Sequence, residues 1–167
     1  MADLNPFKLV EQTGLAAWVR EDALAFPVLE AVHVSAVMLV FGSICMMDLR
    51  LLGLASRSSR MTEVEHDVLP FTWGAFVMCV ITGTLLFVSK AHIYLIEPWF
   101  ISKMFLILLA GVNMAVFHHF TWRRVGEWDA NATAPLAGKI AGGLSILLWI
   151  AVICCAREIG FTLGLYE

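Results

Sequence analysis

Four long runs of apolar residues, broken by few charges, organise this chain. They cover residues 26–47, 68–89, 100–120 and 136–156. A helix of about 20 apolar residues crosses a bilayer core about 30 Å thick, so each run is long enough to span. None shows the every-second-residue alternation of a membrane β-strand. Prolines frame the runs. Pro27, Pro70 and Pro98 read as first-turn residues, where a missing N–H costs nothing, and Pro135 precedes the last run. The polar links at 56–59 and 129–134 are short, which makes sequential neighbours antiparallel. The expected architecture is all-α: a single transmembrane domain over 1–167, built as an up-down-up-down four-helix bundle.

Ahead of the first run, Phe7, Val10, Leu15 and Trp18 recur at helical spacing within residues 5–19. That pattern predicts an amphipathic helix lying on the membrane surface. The segment lacks the basic start, apolar core and small-residue cleavage site of a signal peptide.

Composition agrees. Hydrophobic residues make up 60 %, charged residues 15 %, and the mean hydropathy is +0.81. Soluble domains carry about 45–50 % apolar and about 25 % charged residues. A net charge of −3 also argues against a nucleic-acid binder, which would show a basic surplus. Cys45, Cys79, Cys154 and Cys155 fall in apolar stretches and read as small buried hydrophobes. Both termini belong on one side. The opposite side holds Arg50, Arg57, Arg60, Arg123, Arg124 and Lys139 in two compact loops, and the positive-inside rule places those loops in the cytoplasm.

Ionisable groups inside spans are costly and usually functional. Glu30 and His33 share a face of the first span. His33 lies about 10 Å below its start. Lys103 opens the third span, and Arg157 with Glu158 closes the fourth. A plain alternative is a salt-bridge cluster of Glu30 with Lys103 or Arg157. At the other level, His118 and His119 are consecutive near the end of the third span, and His66 precedes the second. Consecutive helical residues point about 100° apart, so only one of the pair faces the interior well. His118, the deeper, is expected there. His92 follows the second span and reads more readily as a plain exposed linker histidine than as a ligand.

The five histidines therefore divide between two levels. Histidine is a standard haem axial ligand, and bundle cores commonly hold such sites. The expectation is one or two b-type haems and electron transfer across or within the membrane. His33 and His118 are the principal ligands and metal-binding residues, and His66 and His92 the candidate second ligands. Lys103, Arg157 and Arg123 are placed to hold propionates by charge-assisted hydrogen bonds. A quinone or a redox protein would be the partner. Copper is the competing metal, because Cys45, Met46, Met47, Met78, Met104 and Met114 offer soft donors. A third reading is non-catalytic, a scaffold or anchor subunit whose polar residues only pack helices. No His-Glu-x-x-His run or nucleophile-elbow serine supports a hydrolase. Gly138 and Gly142 form a small-residue packing motif, and a homo-oligomer is expected of so small a bundle.

The run Asp48-Leu-Arg-Leu-Leu-Gly53 carries a resemblance. With His33, Pro70-Phe-Thr-Trp73, Thr82-Gly83, Lys103, Asn113 and Phe117-His118, it resembles a family of small bacterial inner-membrane proteins of unknown function. It is also loosely similar to the membrane domains of copper-resistance proteins. The resemblance runs from Phe26 to Phe161. It implies a four-helix fold in the bacterial inner membrane and no settled activity. His33, Asp48, Arg50, Lys103, Asn113 and His118 match its pattern, whereas His66, His92 and His119 do not.

Overall fold

A computed structural model describes residues 6–55, 59–129, 133–162 and 164. Among them there is no strand. Two short helices, α1 (Pro6–Glu11) and α2 (Gly14–Glu21), lead into α3 (Ala25–Leu52). Then come α4 (Met61–Ser89), α5 (Ala91–Ile96) and α6 (Pro98–Val116). A π turn (Phe117–Thr121), a 3₁₀ turn (Trp122–Arg124) and α7 (Val125–Trp128) prolong α6, and α8 (Leu136–Thr162) follows. Four helical stretches are long and apolar enough to cross a membrane: Ala25–Leu52, Met61–Ser89, Pro98–Trp128 and Leu136–Thr162. Their most apolar stretches have mean hydropathies of 2.0 to 2.1, and their large side chains mostly point outward. Only lipid solvates such a surface, so the chain is a multi-pass membrane protein.

The spans are longer than the apolar runs, for local reasons. α3 continues through Asp48 and Arg50 and stops at Gly53. Gly53 adopts φ 71°, the left-handed conformation that glycine enters without a Cβ penalty. Its N–H bonds the Arg50 carbonyl, and the Leu54 N–H bonds that of Leu49. α4 starts seven residues before the expected boundary, because Glu63 folds back to close its first turn: the Arg60 N–H donates to Glu63 Oε2 at 3.1 Å. Pro70 is therefore inside α4, not in its first turn. Pro98 is at the start of α6, as expected.

The helices interlock in antiparallel pairs. α3 runs along α4 and α8, and α6 along α8. The α3–α4 register shows in two contacts, His33 to Thr82 and Thr72 to Ser43. Asn113 Nδ2 donates to the Ala141 carbonyl across α6 and α8 at 3.0 Å. Gly142 brings α8 onto the backbone of α3 beside Asp48. Asp48 is buried; Ser145 hydrogen-bonds it, and its Oδ2 has no partner among the described residues.

Each end of the bundle has its own seal. At the distal end, where α3 meets α4, Leu51, Met61, Phe117, Trp128 and Ala134 form an apolar cluster. At the proximal end the N-terminal segment folds back. It is two helices rather than the single one expected, because Thr13 interrupts it and caps α2, accepting from the Ala16 N–H at 3.3 Å. Ala16 and Val19 turn inward and are fully buried, their small side chains allowing close approach. Leu15 and Trp18 stay outside, exposed on the opposite face.

Candidate functional site at the proximal end

His33 projects from α3 towards the C-terminal half of α4. Its ring is half-buried, and its Nδ1 lies 2.9 Å from Thr82 Oγ1. Gly83, the next residue, faces the same ring: a β-carbon there would stand 3.0 Å from His33 Cε1. Beneath it α6 begins. Glu97, fully buried, caps α6 by accepting from the Phe100 N–H at 2.6 Å, and its other oxygen accepts from the Thr162 hydroxyl at 2.9 Å. One carboxylate thus fastens the start of the third span to the end of the fourth.

Lys103 lies one turn into α6, half-buried, its Nζ 5.0 Å from the centre of the Phe100 ring. It is within electrostatic range of both His33 and Glu97. Phe87, Tyr94 and Phe100, from α4, α5 and α6, form an aromatic wall with ring centres 5.1 to 6.0 Å apart. Arg157 is exposed on α8 and stacks on Phe161 at 4.4 Å. Glu30 is exposed and makes no ion pair with Lys103 or Arg157. The salt-bridge cluster expected as an alternative is absent, and Glu97 is the carboxylate near Lys103. Glu97 was missed in the sequence; its signal is position, an acidic residue just before the Pro98 that starts a helix.

His92, on α5, belongs to the same end. Its ring Nδ1 lies 2.7 and 2.8 Å from the two oxygens of Glu11, and its backbone N–H also donates to Glu11 at 2.7 Å. A carboxylate that orients an imidazole through Nδ1 leaves Nε2 as the available atom, the arrangement common behind metal-bound histidines.

The distal histidines differ. His118 was expected to face the interior, but it is exposed; Phe117 takes the inward position and packs in the distal cluster. Its Nδ1–H donates to the Met114 carbonyl at 2.9 Å, and its ring lies edge-on to Phe117. Since a carbonyl only accepts, Nδ1 carries the hydrogen of this bond. His119 is exposed, and Arg123 is exposed in the 3₁₀ turn. His66 is exposed at the first turns of α4, with Nδ1 3.5 Å from Asp67. Among the described residues no three His, Cys, Asp or Glu side chains converge as a metal site. Comparison with protein families, with curated proteins and with solved structures returned no match for this chain.

Proposed function

We propose that this chain is a haem-b-binding membrane protein that passes electrons within or across the bilayer, with a quinone or a redox protein as partner. One observation supports this reading most. His33, His92 and His118 all have their Nδ1 edge engaged by hydrogen bonds, to Thr82, Glu11 and Met114 respectively. Imidazole ligands are commonly oriented through one nitrogen and bind through the other. Imidazole donors suit the group. His33 and His92 stand at the proximal end, and His118 stands at the distal end beside Phe117 and Trp122. A bound haem would supply one-electron chemistry. The protein's part is to supply imidazoles, to exclude water with the aromatic wall, and to offer Lys103 and Arg157, or Arg123, to propionates.

The absorption spectrum of protein purified after expression with ample haem tests this. A Soret band, lost in His33→Ala or His118→Ala, is the expected result. A colourless protein overturns the proposal, and stoichiometric copper without iron assigns the chain to copper handling instead. A second reading is favoured by the polar contacts that join helix to helix, namely Ser43 with Thr72, Asn113 with Ala141, and Glu97 with Thr162. It makes the chain a non-catalytic scaffold, and predicts a metal-free protein in which the double His33→Ala, His118→Ala variant folds normally.

A further inference from the structure

Two consecutive residues of α4 act on the His33 ring from different directions, and together they select which of its nitrogens is available. Thr82 is 3 % exposed, so water does not compete for its hydroxyl. A hydroxyl has one proton to give and lone pairs to receive with. Thr82 Oγ1 lies 2.7 Å from the carbonyl of Met78, one turn back on α4. That carbonyl can only accept, so it takes the hydroxyl proton, the back-bond that threonine commonly forms inside apolar helices. The remaining contact, 2.9 Å to His33 Nδ1, then needs a hydrogen from the ring. Gly83 supplies the space. Any β-carbon there would approach Cε1, the atom between the two ring nitrogens, to 3.0 Å, and the ring would have to give way by a few tenths of an ångström.

We propose that Thr82 and Gly83 are positioning residues that hold His33 as the Nδ1-protonated tautomer, presenting Nε2 as its lone-pair atom. The use of Nε2 as an axial ligand rests on the haem reading, but the tautomer does not. Threonine beside glycine is required because one residue must bond the ring while the other stays out of its way. Partners of this kind typically change metal affinity 10- to 100-fold when removed (about one to two orders of magnitude).

The experiment uses the full chain in detergent micelles, labelled with ¹⁵N-histidine and prepared without haem. His33→Gln assigns the His33 signals, and proton-coupled nitrogen spectra report which ring nitrogen carries hydrogen. The expected result is hydrogen on Nδ1 in the wild type and in Thr82→Ser. Thr82→Val, nearly the same shape, is expected to lose that preference, and Gly83→Ala to shift the ring signals. Hydrogen on Nε2 in the wild type, or a Thr82→Val spectrum equal to wild type, overturns the proposal. Circular dichroism establishes that each variant is folded, and Thr82→Ser gives a reading if Thr82→Val is not. In protein made with haem, Thr82→Val is expected to retain haem about 10- to 100-fold more weakly, with Thr82→Ser close to wild type. A wild type without haem defeats the haem reading and leaves the tautomer result standing. A haem-loaded Thr82→Val equal to wild type in both readouts defeats the seat and leaves the haem reading standing.

Discussion

A β-carbon placed on Gly142 would lie 3.1 Å from the carbonyl oxygen of Asp48 and 3.3 Å from Leu51 Cβ. There α3 and α8 touch with nothing but hydrogen between them, and the obstacle is backbone, which cannot swing aside. Alanine gains about 1 kcal/mol of helix propensity over glycine, whereas overpacking costs about 1–3 kcal/mol. Gly142→Ala is therefore expected to lower the melting temperature in detergent. Gly143→Ala, whose β-carbon meets only Leu52 Cδ2 at 3.9 Å, is expected to leave it unchanged or raise it.

Glu97 joins two spans through one side chain. Glu97→Ala removes the cap of α6 and the acceptor of Thr162 together. Loss of a cap costs about 0.5–2 kcal/mol, and a buried hydroxyl deprived of its acceptor adds about 1–3 kcal/mol unless it turns elsewhere. Thr162 still has the Glu158 carbonyl at 2.9 Å, which keeps the total towards the lower end. Glu97→Gln keeps an acceptor and is expected to fall between wild type and Glu97→Ala in thermal unfolding.

Asp129 gives the distal end an acid limit. Partial burial works against its charge, but the Thr62 hydroxyl at 2.6 Å, the Thr62 N–H at 3.0 Å, the Met61 backbone and nearby Arg60 outweigh it. The carboxyl is held below the ordinary aspartate range. A depressed folded value contributes stability in full above the unfolded value, about 3.9, and loses it as pH falls through the folded one. Asp129→Asn is expected to be less stable at neutral pH and to lack this part of the acid-induced loss, read from melting temperature against pH.

Glu11 tethers α1 to α5 through His92. Glu11→Ala is expected to deprotect the His92 amide and the α1 amides in hydrogen exchange. The α2 amides should stay protected, since Ala16 and Val19 remain buried and Arg20 still reaches the Ser89 carbonyl. Equal loss across both helices would show that they dock as one unit.

The four spans were legible because lipid imposes a length and a composition that few other environments tolerate. Their ends were less so. Asp48 and Arg50 look like a boundary by charge, yet the helix carries both to Gly53, because each is buried inside the fold. Pro70 looks like a start, yet the helix begins earlier, where Glu63 accepts from the Arg60 N–H. The N-terminal pattern looks like one helix because Phe7, Val10, Leu15 and Trp18 keep helical spacing, yet Thr13 caps a second helix in the middle of it.

For the site, residue type and depth were available from the chain: His33 and Lys103 near one end, His118 near the other. Which side chains meet them was not. Thr82 and Gly83 lie about fifty residues from His33, and Glu97 is 65 residues from Thr162. Spacing along one helix sets a face, but helix phase against a neighbour sets a partner, and that phase depends on packing such as Gly142 against Asp48. The same cause put Phe117 inward and left His118 outside. The sequence alone determined that this protein lives in lipid, how many times it can cross, and at which depths its scarce polar groups lie, since each follows from transfer free energy summed along the chain. Tertiary structure decided what holds His33, what caps α6 and which face of each helix turns inward, because those depend on side chains brought together from distant turns.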